Sequence, residues 1–449
     1  MTEHQYTPRV WKDQFAKALI LERPHATLDG YLRSIGIEPD RRDEAPKDED
    51  ELIGWLQEGG HNLIFKRSRI PITRRVIEAS PNLMGIQLCC IGDDSIDKEA
   101  AARNGVLVMN DPVSNGRSVV EMVLGELIVM SRRIFEAEQD MLQHRWTKSN
   151  KARYELLGKT LGVIGLGNIG KQVASTAEAF GMKIVFYDNR EVAQEVGETL
   201  GWTQLGSIKD VFARSHAVTV HVSAEDYRGQ TNEGMITREM FLAMGSEQEV
   251  PGPRLFVNAA RGFIYRPEDL IEAVTEGAIH YASVDVFPEE PDGAHQAWKN
   301  PYAEVPQIYT TPHIGAATQE AQPRIAKRVA RTVRLFNDYG SVRDCVYFPK
   351  HPIGLHQGER PKYILSVVHS DTRGTKKAVD ETIYDAGLSN LSSVHRDVPK
   401  YGIAYDLNAL NGPLTDEQIE GLIERAIKAS GDAAPVRAIR MIEVPGLRS

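Results

Sequence analysis

The sequence predicts an α/β fold with two doubly wound parallel-sheet domains, followed by a small C-terminal domain with the element order βαββαβ. Two observations lead to this prediction. Short apolar segments alternate with amphipathic segments between residues 17 and 339, as in parallel sheets that helices cover on both faces. Between residues 363 and 443, four strand-like and two helix-like segments follow one another in the βαββαβ order.

Length and composition narrow the class of protein. The 449 residues exceed what one hydrophobic core usually supports, so two or three domains are expected. The net charge is −9 and basic residues are scattered, which argues against a nucleic-acid or membrane surface. No apolar run is long enough to span a membrane, and the N-terminus lacks the apolar core of a signal peptide. Only three cysteines occur, so we expect a cytoplasmic protein without disulfides or a metal site.

The N-terminal third reads as short alternating elements. Residues 1–14 are polar and are predicted to be irregular, and the charge-rich segment 38–50 is predicted to be a surface loop. The apolar pattern predicts strands at 17–21, 62–65, 83–91 and 106–109 and helices at 25–35 and 97–103. Residues 118–146 contain no proline and are predicted to form one long helix, whose apolar middle indicates burial.

The most informative segment runs from residue 158 to 188. It contains a strand at 160–164, then Gly165, Gly167 and Gly170 in G-x-G-x-x-G spacing, a helix at 171–180, a strand at 183–187 and Asp188. The first glycine of this pattern permits a tight turn, the second lets the backbone approach a pyrophosphate, and the third lets helix and strand pack closely. The helix start then offers its N–H groups to that phosphate. This order of elements predicts a dinucleotide-binding site, whereas an isolated glycine triplet would indicate only a turn.

Asp188 bears on which dinucleotide is bound. An acid at the end of the second strand holds the ribose hydroxyls of an adenosine and repels a 2′-phosphate, so we predict NAD rather than NADP. Arg190 follows two residues later and leaves NADP as the alternative.

Further strands are predicted at 217–222, 255–259 and 282–286, and a helix at 320–339. Three residues that could take part in catalysis lie in this part of the chain. Arg261 follows the second of these strands, Glu290 lies in the acidic segment 285–291 after the third, and His313 follows a proline turn. Arginine binds carboxylates through paired hydrogen bonds, and a histidine beside a carboxylate takes up or releases a proton near neutral pH. Each residue alone has a plainer interpretation as a surface ion pair, a solvated acid or a cap. Together, and in a chain that also contains a dinucleotide-binding motif, the three residues indicate an enzyme that oxidises an alcohol.

The C-terminal part follows a segment rich in proline, glycine and histidine, so residues 346–361 are predicted to be a linker. Beyond it we predict strands at 363–369, 391–395, 401–407 and 436–443 and helices at 375–386 and 416–429, the second capped by Thr415. This order is ferredoxin-like, and the segment is long enough to fold as a small domain.

Several motifs together resemble one family. They are Lys66-Arg67-Ser68-Arg69, Cys90-Ile91-Gly92, residues 114–121, the glycine triplet, and residues 258–262, 285–291 and 311–322. In this order they resemble the D-isomer-specific 2-hydroxyacid dehydrogenases, and among these the bacterial members with a C-terminal ACT domain. The likeness extends from Lys17 to Val444, which is nearly the whole chain.

The resemblance implies domains and roles. It implies a substrate-binding domain at 1–115 completed by 315–345, a Rossmann-type NAD-binding domain at 116–314, the linker 346–361 and an ACT domain at 362–449. His313 would be the acid/base, Glu290 its partner, and Arg261 the anchor for the substrate carboxylate and C2 oxygen. The residues implied to line the cofactor are Gly165, Gly167, Asn168, Ile169, Gly170, Asp188, Ala259, Ala260, Arg261, Asp285, His313, Ile314, Gly315, Ala316 and Asn115.

The resemblance also implies a substrate. Members with this domain arrangement oxidise D-3-phosphoglycerate at C2, the first step of serine biosynthesis, and we expect that reaction here. Arg67 and Arg69 would then hold the phosphate, with Gly92 and Lys148 as further substrate contacts. One alternative is oxidation of another 2-hydroxy acid such as 2-hydroxyglutarate. Another is an NAD-sensing binding protein, because transcriptional corepressors share this fold and even the catalytic three.

Regulation is expected from the C-terminal domain. The resemblance implies that His369, Asp371 and Asn390 bind an amino-acid effector, L-serine by default, in a homo-oligomer that is a dimer or tetramer. Asp371 replaces the asparagine that is usual there, and Arg373 replaces a proline. The remaining alternative is that this domain only assembles subunits.

Overall fold

The computed structural model describes residues 7–291, 298–348, 352–355 and 361–445. The chain forms two compact units, one made of Met1–Pro112 with Gln322–Ser449 and the other of Val113–Ala321. We call them the first and the second unit. Of the helices in the described ranges, none combines the length and apolarity needed to cross a membrane. Within the predicted linker, residues 349–351 and 356–360 lie outside the described residues.

The N-terminal part of the first unit contains a parallel sheet with four helices. Its strands are β1 (Arg9–Lys12), β2 (Lys17–Ile20), β3 (Glu38–Arg41), β4 (Leu63–Lys66), β5 (Gly85–Leu88) and β6 (Leu107–Met109). Its helices are α1 (Thr27–Ser34), α2 (Glu49–Gly59), α3 (Arg74–Glu78) and α4 (Lys98–Arg103). Five of these strands form a parallel sheet in the order β3-β2-β4-β5-β6, which we call the N-terminal sheet.

The prediction of a surface loop at residues 38–50 is wrong at both ends of that segment. Strand β3 pairs in parallel with β2, and α2 begins at Glu49, capped by the Asp48 side chain. Strand β3 is an edge strand, where charged side chains are common because one side of the strand faces solvent. The charge-rich composition therefore hid a strand and a helix start. The apolar face of α2 packs inward through Leu52, Ile53 and Leu56.

The second unit starts with two helices where one was predicted. Helix α5 (Gly116–Arg132) ends at Arg133, which has left-handed φ and ψ of 54° and 51°, and α6 (Ile134–Leu142) follows. Helix α5 buries its apolar face, whereas none of the described residues of α6 is buried. The buried face of α5 thus ends at Ser131, one turn before α6 begins without any buried residue. The guanidinium of Arg133 also bonds to Glu136 and lies over the Tyr281 ring, contacts that stabilise the break.

A seven-stranded parallel sheet forms the centre of the second unit. Its strands are β7 (Thr160–Ile164), β8 (Lys183–Tyr187), β9 (Thr203–Gln204), β10 (Ala217–Val220), β11 (Leu255–Asn258), β12 (Tyr281–Val284) and β13 (Ile308–Thr310). The helices are α7 (Gly170–Ala179), α8 (Glu191–Thr199), α9 (Ile208–Ala213), α10 (Arg238–Leu242) and α11 (Pro267–Thr275), with a short 3₁₀ turn at Gly262–Ile264. The order β13-β12-β11-β10-β7-β8-β9 reverses direction at β7. In such doubly wound sheets, ligands bind at the carboxyl ends of the strands beside this reversal.

The C-terminal part of the first unit has the predicted βαββαβ order. Helix α12 (Ala321–Tyr339) leads to β14 (Tyr363–Ser370), α13 (Thr375–Asp385), β15 (Asn390–Val398), β16 (Ile403–Leu410), α14 (Asp416–Ser430) and β17 (Val436–Glu443). The strand order is β1-β17-β14-β16-β15, and we call this the C-terminal sheet. Strands β14 to β17 pair antiparallel as in ferredoxin-like folds. Thr415 caps α14 in a capping box with Gln418.

The N-terminal strand β1 was not predicted, because residues 1–14 were expected to be irregular. It pairs in parallel with β17, with Arg9 opposite Ala438 and Lys12 opposite Met441. Because the pairing strand is so distant in sequence, the residues around β1 carry no local pattern that predicts a strand. The described part of the N-terminal segment is therefore an edge strand of the C-terminal sheet.

The two sheets of the first unit share one hydrophobic core. That core includes Phe65 of β4, Phe336 of α12 and Tyr405 of β16. Arg440 of β17 is fully enclosed there, donates hydrogen bonds to the carbonyl oxygens of Phe336 and Asn337, and lies over the Phe336 ring. Burial lowers the pKa of this guanidinium to about 9. The C-terminal sheet therefore packs on α12 and is hydrogen-bonded to it through Arg440.

Candidate active site

The glycine turn after β7 has the close contacts that its spacing predicts. Gly165 has φ of +88°, and a Cβ there would lie 2.5 Å from the His221 carbonyl oxygen. A Cβ on Gly170 would lie 2.0 Å from the carbonyl oxygen of Gly165. At Gly167 the nearest atom to such a Cβ is the Arg190 guanidinium, 3.8 Å away. Two glycines are therefore required by the protein itself, while the middle one faces space that a ligand can approach.

Asp188 lies directly after β8 and is almost fully buried. Its Oδ2 accepts hydrogen bonds from the Leu166 N–H at 2.8 Å and from Arg190 Nη2 at 2.7 Å. Its Oδ1 accepts from the backbone N–H and the Nε of Arg190, both at 2.9 Å. Burial alone would raise the pKa of Asp188, but these bonds hold that pKa below its usual value. The carboxylate is ionised, and it ties the glycine turn to the end of β8.

His313 and Glu290 form a hydrogen-bonded pair. His313 Nδ1 lies 2.7 Å from Glu290 Oε2, and Glu290 Oε1 accepts from the Phe287 N–H at 3.1 Å. A carboxylate only accepts, so Nδ1 carries the hydrogen and Nε2 is the ring atom that can take up a proton. The hydrogen bond that His313 donates to Glu290 raises the pKa of His313. Burial would raise the pKa of Glu290, but the bonds from His313 and Phe287 keep it below its usual value.

The backbone at His313 has an uncommon conformation, with φ of 53°. Asp285, buried after β12, holds the segment in place. Its Oδ1 accepts from Thr311 Oγ1 at 2.6 Å and from the Ile314 N–H at 2.8 Å, and its Oδ2 accepts from the Gly315 N–H at 2.8 Å. Such positive φ values outside glycine persist where the surroundings fix them. The three hydrogen bonds that Asp285 accepts fix the segment that carries the histidine.

Arg261 follows β11 on a turn that its neighbours organise. Asn258 is fully buried, donates to the Arg261 carbonyl at 2.9 Å and accepts from the Ala260 N–H at 3.0 Å. A Cβ on Gly262 would lie 1.9 Å from the backbone of Phe287, so this turn packs directly on the segment that leads to Glu290. The Arg261 charge lowers the pKa of Glu290 and counteracts the rise in the pKa of His313. The predicted catalytic three therefore act on one another electrostatically within the second unit.

The remaining predicted cofactor residues surround these groups. Asn168 and Ile169 precede α7, and Ile169, the N-cap residue, makes no side-chain hydrogen bond to the helix start. Ala259 and Ala260 lie between Asn258 and Arg261, and Ile314, Gly315 and Ala316 follow His313. Asn115 is buried with an Oδ1 that has no hydrogen-bond partner among the described residues, and the neighbouring Gly116 packs near Ile169. An open glycine, an uncapped helix start and a buried unpaired amide oxygen fit a dinucleotide that ends in a carboxamide.

The predicted phosphate residues lie in the first unit. Arg67 and Arg69 follow β4, and Gly92 follows β5, its neighbour in the N-terminal sheet. The buried Lys66 joins the two loops, because its Nζ donates to the Arg67 carbonyl at 2.8 Å and to Ser95 Oγ at 2.7 Å. Lys148 belongs to the second unit, where it is exposed in the segment after α6.

Comparisons with known proteins agree on the family. Residues 124–315 match the family described as D-isomer specific 2-hydroxyacid dehydrogenase, NAD binding domain. The chain is 31% identical to the D-3-phosphoglycerate dehydrogenase of Escherichia coli over 414 residues, which covers 92% of this chain and 95% of that protein. The chain belongs to the D-isomer-specific 2-hydroxyacid dehydrogenase family. It is an NAD-dependent dehydrogenase.

Solved structures show the same fold. A glyoxylate reductase from Paecilomyes thermophila is 21% identical with a TM-score of 0.62, and the match covers 74% of this chain and 98% of that one. A 3-phosphoglycerate dehydrogenase from Entamoeba histolytica with bound NAD⁺ is 23% identical with a TM-score of 0.58, at the same coverage. At these identities the likeness concerns the fold alone.

The predicted effector residues do not meet within one chain of this dehydrogenase. His369 and Asp371 lie at the end of β14, whereas Asn390 opens β15 opposite Leu410, which pairs with Tyr363 at the start of β14. Six residues of strand separate these ends, roughly 20 Å at the usual rise. His369 is buried, and both of its ring nitrogens bond inside the C-terminal sheet. Asp371 and Asn390 are exposed.

The family motifs contain several supporting residues whose roles were not predicted. Thr311 fastens the histidine loop to Asp285, Asn258 shapes the arginine turn, and Lys66 joins the loops after β4 and β5. The only signal for each was a polar residue at a strand end beside a predicted site residue. The hydrogen bonds that define their roles appear only in the folded chain.

Proposed function

We propose that this dehydrogenase oxidises D-3-phosphoglycerate to 3-phosphohydroxypyruvate with NAD. The observation that carries the reaction type is the 2.7 Å contact of His313 with Glu290, beside Arg261, at the carboxyl edge of a sheet with a dinucleotide turn. The choice of substrate is inferred from the relatives named D-3-phosphoglycerate dehydrogenase.

Each of the three residues has one task. Arg261 binds the substrate carboxylate and the C2 oxygen, which places the C2 hydroxyl next to His313. Nε2 of His313 takes the hydroxyl proton, the C2–O bond becomes a carbonyl, and the C2 hydrogen leaves with its electron pair. NAD supplies the acceptor for that hydride. Glu290 stabilises the imidazolium that forms and fixes the tautomer in which Nε2 is free to act as the base.

Arg67 and Arg69 are proposed to bind the phosphate, because the guanidinium fork fits phosphate oxygens. The buried Lys66 keeps the loop that carries them next to the loop after β5, where Gly92 would approach the substrate. Lys148 is a further proposed contact. The proposed domain division follows the family: residues 1–115 with 315–345 bind substrate, 116–314 bind NAD, and 346–361 link them to a regulatory domain at 362–449.

A substrate panel tests this proposal. Initial rates are measured with D-3-phosphoglycerate, D-glycerate and D-2-hydroxyglutarate, each with NAD and with NADP. We expect the highest kcat/KM with D-3-phosphoglycerate and NAD. A higher value with 2-hydroxyglutarate would mean that the arginines hold a distal carboxylate. NAD binding without turnover of any substrate would indicate the binding-protein alternative instead.

The C-terminal βαββαβ segment is proposed to be an ACT domain that binds an amino acid between two copies of the chain. Support comes from the separation of Asn390 from Asp371, because a single ligand can contact both only if they belong to different chains. The resemblance makes L-serine the default effector. Calorimetry with L-serine, with D-serine as control, and rates at saturating L-serine test this. Absence of both heat and inhibition would leave assembly as the role of the domain.

Exposed apolar side chains support a homo-oligomer. Met141, Leu142 and Trp146 are all more than half exposed in the segment from α6 onward. Contiguous exposed apolar side chains commonly mark interfaces. We propose that this segment joins subunits into a dimer or tetramer. Light scattering of the wild type and of Leu142→Glu with Trp146→Glu tests it, and an unchanged mass would exclude this surface.

A further inference from the structure

Two histidines and an aspartate converge on neighbouring strands of the C-terminal sheet. His369 Nε2 lies 3.0 Å from Asp406 Oδ2, and His395 Nδ1 lies 2.6 Å from Asp406 Oδ1. The residues belong to β14, β16 and β15, which are adjacent in the sheet, and one donor atom from each lies within 4.8 Å of the others. His369 and Asp406 are buried, while the side chain of His395 is 34% exposed.

The outer hydrogen bond of the His369 ring decides the tautomer of that ring. His369 Nδ1 lies 2.6 Å from the Ser370 carbonyl oxygen, which can only accept, so Nδ1 carries the hydrogen of the neutral ring. His395 lies between two carboxylates, with Nε2 2.8 Å from Asp397 Oδ1 and Nδ1 2.6 Å from Asp406 Oδ1, so its ring is either protonated or directs one lone pair at a carboxylate. In the neutral His369 ring Nε2 therefore directs a lone pair at the Asp406 carboxylate, and His395 Nδ1 does the same when the hydrogen of its neutral ring is on Nε2.

A lone pair that faces a carboxylate is repelled by it unless a proton or a metal cation lies between the two groups. We propose that His369 Nε2, His395 Nδ1 and Asp406 bind a divalent transition-metal ion of the Zn²⁺ type. Imidazole and carboxylate are ligands that such ions accept, and metal-binding histidines normally donate their other N–H to a carbonyl or carboxylate. Ser370 and Asp397 supply those two acceptors. These three residues belong to the C-terminal sheet, whereas the proposed dehydrogenase residues belong to the second unit or follow strands of the N-terminal sheet.

The geometry needs only small adjustments. Ligands bonded to one zinc at 2.0–2.1 Å lie roughly 3 to 4 Å apart, close to the separations present between the rings and the carboxylate. Lys376 Nζ, 4.0 Å from Asp406 Oδ2, is the nearest competing cation, and it already pairs with Asp380. The partly exposed His395 provides the entry path, and solvent completes the coordination.

Bound metal would join three strands, including the edge strand β15. It would also engage the inward nitrogen of His369, so effector contacts in this domain would rest on Asp371 and Asn390. Because the ligands come together only in the folded sheet, metal binding is expected to raise the melting temperature.

Titration of tag-free, chelator-treated full-length protein with Co²⁺, followed by visible absorption and by competition with Zn²⁺, tests the proposal. We expect one equivalent per chain and a rise in melting temperature with Zn²⁺. His395→Gln, at a partly exposed position that tolerates replacement, should weaken binding by at least about 100-fold, and Asp397→Asn by about 10-fold. His144→Gln, at an exposed histidine elsewhere, should bind as the wild type does.

Two results would overturn the proposal. One is the absence of stoichiometric binding by folded wild-type protein, which would mean that protons alone hold the cluster together. The other is equal loss, or equal retention, of binding in His395→Gln and His144→Gln. Circular dichroism of each variant confirms that the chains compared are folded.

Discussion

The Arg190 guanidinium donates hydrogen bonds to both oxygens of the Asp188 carboxylate, from Nε to Oδ1 at 2.9 Å and from Nη2 to Oδ2 at 2.7 Å. With the two backbone N–H donors counted as well, all four lone pairs of the carboxylate are engaged. A ribose diol can bond to Asp188 only when the Arg190 side chain moves aside. If Asp188 binds the ribose of NAD as predicted, cofactor binding and this ion pair compete.

Removing that competitor should favour NAD. Arg190→Ala leaves the backbone bonds intact and frees two acceptor positions, so we expect KM for NAD to fall about fivefold, on the order of 1 kcal/mol. The kcat/KM with NADP should fall, because the cation nearest a 2′-phosphate is gone. Arg214→Ala, at an exposed arginine of the same unit, is the control. A rise in KM for NAD would mean that Arg190 holds the cofactor instead.

Replacing the acid itself should act in the opposite direction. Asp188→Asn keeps the size of the side chain but removes the charge that repels a 2′-phosphate, so the preference for NAD over NADP should narrow. The ratio of the two kcat/KM values measures it. An unchanged ratio would show that Asp188 serves only to anchor the glycine turn through Leu166.

The pH dependence should follow the His313–Glu290 pair. In the proposed mechanism oxidation needs neutral His313, whose pKa lies above its ordinary value of 6.5 because of the hydrogen bond to Glu290. The kcat/KM for oxidation should therefore rise with pH through that raised pKa, and the reverse reduction should decline over the same range. Glu290→Gln removes the carboxylate, so the acidic limb should move to lower pH while kcat falls. If the acidic limb of the Glu290→Gln profile stays at the wild-type pH, the pH dependence does not arise from the His313–Glu290 pair.

The phosphate assignment predicts a loss that depends on the substrate. Replacing Arg67 or Arg69 by Met should lower kcat/KM for D-3-phosphoglycerate by about 30-fold, on the order of 2 kcal/mol for a charge-assisted contact. The loss with D-glycerate should be much smaller. Arg33→Met, at an exposed arginine paired with Glu38, controls for the change in net charge. Equal losses with both substrates would make the two arginines structural.

How far the sequence predicts this molecule depends on how local each feature is. Strands β7 and β8 were predicted at their observed bounds, because the glycine turn, α7 and Asp188 lie in one continuous segment. Strand β1 and the helix break at Arg133 were not, since the first depends on pairing with β17 and the second on contacts with Tyr281. The catalytic three could be proposed from strand ends and family likeness. The hydrogen bonds by which Asp285, Asn258 and Thr311 support them form between segments that meet only in the folded chain, so they could not be predicted from the sequence.

The central claim is that His313 exchanges the substrate proton, and His313→Asn tests it most directly. Asparagine tolerates the positive φ at this position, so the loop that Asp285 holds should persist. The measurement is kcat with D-3-phosphoglycerate and NAD, alongside NAD binding by fluorescence and the melting temperature. We expect kcat to fall by about 10²- to 10⁴-fold while NAD binding and the melting temperature stay near wild type. Near wild-type turnover in the folded variant would contradict the account.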